Sequence, residues 1–167
     1  MNGMVINDDA PEYAYEIIND KMRPIAERLT AKYEEIGHVR PDRILFVLCR
    51  GKTGGKRIVL AKTLTISLKW QELLMQLGGE YAYMIEFYHK TTAMLSQNQM
   101  TALVYHELAH IGPEGDLVRH DTEDWWRMIA GMGRHWSYPD AGCPNLLAPD
   151  VDWKRLTGKG DDIRAAI

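Results

Sequence analysis

The sequence predicts an α+β fold: a sheet of three strands or slightly more, packed on an N-terminal helix, a central helix and a C-terminal helix. Three observations carry this. Apolar residues recur at helical spacing through residues 13–36, 96–111 and 122–131. Short runs rich in β-branched and aromatic residues, at 43–50, 56–70 and 81–89, read as strands. The length of 167 residues suits one domain with a sizeable core. A single unit is therefore expected over 1–167, with its core at about residues 11–136 and an irregular tail at 137–167.

The totals narrow the field. A net charge of -3 gives no global basic field for nucleic acid. No apolar run approaches membrane-spanning length, and the N-terminus lacks a basic region followed by an apolar run. Cys49 and Cys143 are far apart and suggest no disulfide framework, so a cytoplasmic chain with no membrane partner is expected. Cys49 sits in an apolar run and reads as a small buried hydrophobe.

Each element has its own signal. Pro11, after Asp8 and Asp9, opens the first helix, which should reach Ile36 and kink or split at Pro24. Gly37 and Pro41 end it. Residues 43–50, RILFVLCR, read as a buried strand. The Gly51-Lys52-Thr53 triplet that follows is not a phosphate loop, because Phe46 stands where that motif needs glycine and a strand, not a helix, follows. Instead, residues 51–55 predict a hairpin turn into the second strand. Lys52, Lys56, Arg57 and Lys62 would then line an exposed edge. Residues 71–77 suggest a short helix closed by Gly78-Gly79, and 81–89, YAYMIEFYH, the third strand.

The central helix carries the chemistry. Ser96 as N-cap with Gln99 three residues on makes a capping box, and Gly112-Pro113 stops the helix. Met100, Leu103, Val104, Leu108 and Ile111 form its apolar stripe. Within it lie His106, Glu107 and His110, in the order His-Glu-x-x-His. Residues four apart share a helix face, so both imidazoles can reach one metal ion, with Glu107 beside them as a general base.

A catalytic zinc site needs a third protein ligand. His120, nine residues past His110 at the end of a returning loop, is the first choice. Asp116 is the next, and Glu123 or Asp124 on the following helix would also serve. That helix, with Asp121 as N-cap, is expected from Thr122 to about Gly131. Its carboxylates can cap the helix or orient a ligating imidazole. The tail should wrap the domain, anchored by Leu146, Leu147 and Trp153.

The segments YHELAHIG and LVRHDTEDWW resemble the metallopeptidases of phages and prophages. In motif order they are similar to the SprT-like zincins, over about residues 43–136. The resemblance implies a small zincin-like domain, zinc as cofactor, Glu107 as general base and His120 as third ligand. Two departures stand out: the loop between His110 and His120 is short, and no cysteine pairs follow for an accessory zinc ribbon.

The expected reaction is hydrolysis of a peptide bond by metal-activated water, with Glu107 moving the proton to the leaving amine. A second oxyanion donor would come from Tyr105, His89 or Arg119. The expected partner is a protein or peptide substrate, which can include a regulator or a DNA-bound protein cut with narrow specificity. The competing expectation is a zinc-stabilised binding protein with no turnover.

Overall fold

The computed structural model describes residues 14–51, 58–120 and 124–157. Strand β1 (Tyr15–Ile17) leads into helix α1 (Asn19–Lys32). Two short 3₁₀ turns follow, at Glu34–Ile36 and Pro41–Arg43, then β2 (Ile44–Cys49) and β3 (Ala61–Thr65). Helix α2 (Leu68–Gln76), strand β4 (Tyr83–Tyr88), the single turn α3 (His89–Thr92) and helix α4 (Gln97–Leu108) come next. Helices α5 (Trp126–Met132) and α6 (Trp153–Thr157) close the order. The fold is α+β, as the sequence predicts, with a sheet of four strands in the order β1-β2-β4-β3.

Four local expectations change. The helix foreseen from Pro11 does not include residues 15–17. Those form β1, antiparallel to β2 in the register Tyr15–Cys49 to Ile17–Val47. Pairing with a distant strand outweighs local helical spacing, and Pro11 itself lies outside the described residues. Asn19 marks the switch to helix, its Oδ1 accepting the Phe46 N–H at 2.8 Å. Pro24 does not split α1; in the second turn it removes one hydrogen bond, and the helix runs on to Lys32. It then breaks at Tyr33, whose backbone is extended, so residues 34–36 form a separate 3₁₀ turn.

The hairpin expected between β2 and β3 is also replaced. β4 lies between them, parallel to β2 and antiparallel to β3. The reason is burial. β2 buries four of its six residues and takes a neighbour on each side, whereas β3 buries only Thr63 and suits an edge. The predicted turn at 52–55 lies outside the described residues.

Helix α4 packs on α1 and β3. Val104 and Leu108, fully buried, meet Leu29, Ile44, Phe46 and Ile85 in one core. Its capping box forms: Ser96 Oγ accepts the Gln99 N–H at 3.2 Å, and Gln99 Oε1 accepts the Ser96 N–H at 2.8 Å. The tail adds α6, and Leu146 is fully buried as an anchor. Cys49 is buried, as expected. Among the described residues no helix is long and apolar enough to cross a membrane.

Candidate metal centre

At the end of α4 the backbone tightens. The His110 N–H bonds the Glu107 carbonyl at 3.2 Å, three residues back rather than four. Both histidines still face the same side, with ring centroids 5.2 Å apart. The chain then reverses. Gly112 N–H bonds the Asp116 carbonyl, and Val118 N–H bonds the His110 carbonyl at 2.8 Å. Gly115 sits at φ +84, a conformation that glycine adopts without steric cost. This tight return delivers His120, whose ring centroid is 4.6 Å from those of both His106 and His110.

The three imidazoles each offer a nitrogen, all within 4.8 Å of one another. His106 Nδ1 lies 2.8 Å from Asp124 Oδ1, and His110 Nδ1 lies 2.8 Å from the Val118 carbonyl. A carboxylate and a carbonyl only accept, so both Nδ1 atoms carry the proton in the neutral rings. Each Nε2 then presents its lone pair. His120 Nε2 approaches His106 Nε2 to 2.8 Å. Three imidazoles, two with their outer nitrogens already held by acceptors, are a donor set that fits a divalent transition metal.

Asp124 is itself braced. Its Oδ2 accepts the Trp136 indole N–H at 2.7 Å, and Oδ1 accepts the Trp125 backbone N–H at 2.6 Å. Burial pushes its carboxyl upward, but His106, with the Trp136 and Trp125 donors, outweighs it and holds the group below its ordinary value. Trp125 also donates its indole N–H to the His106 carbonyl at 2.9 Å, and its ring packs on His110 and His120.

Glu107 is 3% exposed. Its Oε2 accepts the Thr63 hydroxyl at 2.7 Å, while Oε1 faces His106 Nε2 at 4.0 Å. One oxygen is thus anchored to β3 and the other turned toward the imidazoles. A cleft of about 210 Å³ opens here, lined by Ala61, Lys62, Thr63, His106, Glu107, His110, Leu117 and His120.

The structure therefore brings together His106, Glu107, His110 and His120. Asp116 is exposed in the return and does not join them. Asp124 stands behind His106, and Glu123, like Asp121, lies outside the described residues. Helix α5 begins at Trp126, later than the predicted Thr122, so Asp124 precedes it and serves the imidazole. Of the three oxyanion candidates none lines the cleft. Tyr105 points to the far side of α4, where its hydroxyl donates to Glu35. Thr63, Trp136 and Gln99 had no signal as site residues. Their partners are 44, 12 and 37 residues away, beyond any local pattern.

The family described as Putative phage metallopeptidase matches residues 14–159. The chain belongs to that family, and its histidine cluster is where a metal would sit. Among curated proteins and solved structures, none matches the chain at a significant level.

Proposed function

We propose that the chain is a zinc-dependent peptidase whose ligands are His106, His110 and His120 and whose general base is Glu107. The observation that carries this reading is the Glu107 carboxylate, buried and tethered beside three converging imidazoles in an open cleft. A zinc ion held there would polarise the scissile carbonyl and acidify a water. Glu107 does the proton work: Oε1 takes the proton from the attacking water and hands it to the leaving amine. The Thr63 hydroxyl keeps the carboxylate from rotating away. The order of His106, Glu107, His110, His120, Asp124 and Trp125 supports the likeness to SprT-like zincins.

The sheet edge supports a peptide substrate. The Leu60 carbonyl accepts the Tyr88 N–H of β4, and the Ile66 N–H donates to the Ala82 carbonyl just before β4. Alternation then turns the backbone groups of Ala61, Thr63 and Thr65 away from β4, to the open edge beside the cleft. An extended protein segment can add there as a strand. Both cysteines are free, which supports a reducing cytoplasm, and burial pushes the Cys143 thiol up to about 11, so that it is protonated at neutral pH.

Elemental analysis of protein purified without an affinity tag tests the site. One zinc per chain, weakened in His120→Ala and retained in Glu107→Gln, is expected. Glu107→Gln should abolish cleavage of unfolded and DNA-bound protein substrates alike. Zinc retention with unchanged cleavage would remove Glu107 from the mechanism. Zinc with no cleavage by the wild type would leave a binding protein.

A further inference from the structure

Behind the active face of α4 lies a half-buried carboxylate that the proposed chemistry does not use. Glu35 follows α1, and three elements converge on its Oε1. The Tyr105 hydroxyl of α4 donates to it; the Trp153 indole N–H of α6 does so at 2.8 Å; and Arg127 Nη1 of α5 lies at 2.7 Å. The Tyr105 ring packs edge to face on both Tyr33 and Trp153, and those two meet at a tilt beside the group. A cavity of about 180 Å³ beside this cluster is lined by Glu35, Tyr105, Ala109, Trp125 and Arg127.

We propose that Glu35 is a positioning residue of the metal centre, its carboxylate fixing α5 against α4 at the spacing across which Asp124 reaches His106. The proposal rests on the metal reading above. The connectivity is a closed circuit. Tyr105 is adjacent to His106 in α4, and Arg127 is three residues past Asp124. Glu35 joins Tyr105 to Arg127, and Asp124 joins back to His106. Opening the circuit at Glu35 frees the segment that carries both Asp124 and Trp125. Cohesion alone is a weak reason for a carboxylate here, because a partly exposed ion pair adds little stability by itself. A carboxylate adds direction: one oxygen with three donors admits one arrangement of three helices.

The test is zinc affinity by chelator competition, together with the visible spectrum of the cobalt(II)-loaded protein. The variants are Glu35→Gln, Arg127→Gln and, as a core control outside this network, Ile44→Val. Both network variants should bind zinc about tenfold more weakly, the low end for loss of an outer partner of a ligand. Their cobalt(II) ligand-field bands should shift. Ile44→Val should lower the melting temperature and leave affinity and spectrum unchanged, as a purely structural loss does. Arg127 is half exposed, so its variant carries the test if Glu35→Gln does not fold. Wild-type affinity and an unshifted spectrum in the network variants would overturn the proposal while the metal reading stands. A wild-type chain that takes up no zinc would overturn both.

Discussion

At the residue scale the centre depends on hydrogen bonds made one step behind the groups that do the chemistry. Asp124 Oδ1 lies 2.8 Å from His106 Nδ1, and a carboxylate so close favours the tautomer that presents Nε2. Asp124→Asn keeps the size but replaces one oxygen with a donor and removes the charge. Zinc affinity should fall by about 10- to 100-fold. Chelator competition measures it, and an unchanged constant would mean that packing alone orients the ring. Thr63 plays the matching part for Glu107. Thr63→Val keeps the shape and removes the hydroxyl, so zinc should stay bound while kcat drops on the order of tenfold, a part of what a positioned base contributes. KM should barely move. A fall in KM-limited rates with kcat intact would put Thr63 in substrate binding instead.

At the scale of elements, α4 and the return that follows it decide whether the three histidines meet. The helix was legible in the sequence because its signals are local: the Ser96–Gln99 box, the apolar stripe and the Gly112-Pro113 stop lie within 18 residues. His120 was legible for the same reason, as a short loop cannot carry it far from His110. What escaped was non-local. Tyr15 and Ile17 have helical spacing, yet they form a strand because β2 offers an edge. The insertion of β4 between β2 and β3 follows from burial on both sides of β2, which no turn motif announces. The tether from β3 to Glu107 was hidden with it. Ser96→Ala removes the cap acceptor and should cost about 1 kcal/mol in urea denaturation with an unchanged m-value. Gln99 keeps its bonds to the Trp136 and Tyr138 carbonyls, so the helix should remain. Gly115→Ala should cost roughly 1–2 kcal/mol, because φ +84 is strained for a residue with a Cβ. Its Cβ would also sit 3.3 Å from the Tyr83 hydroxyl. Because the strain falls on the loop that returns His120, metal affinity should fall as well, which Ser96→Ala should spare.

At the scale of the whole molecule, α4, α5 and α6 are joined to the turn after α1 through one carboxylate, and this makes stability depend on acid in a defined direction. Burial raises the Glu35 pKa, but the donors from Tyr105 and Arg127, with the Arg127 charge, outweigh it and hold the folded group below its ordinary 4.5. In the unfolded chain the same carboxyl returns to 4.5. Between the two values the unfolded state binds more protons, so stability rises with pH across that window. The contribution is fully present above 4.5 and is lost as pH falls through the lower folded value. The metal-free protein isolates this effect, since zinc would add its own loss of ligands to protons. Urea midpoints of the metal-free chain should therefore hold from neutral pH down to about 4.5 and then fall. Glu35→Gln carries no titrating group there, so its midpoint should start lower and decline less steeply over the same range. If the two curves run parallel, the Glu35 carboxyl titrates alike in the folded and unfolded chains. The convergence of the three helices on this turn would then rest on the Tyr33, Tyr105 and Trp153 rings rather than on charge.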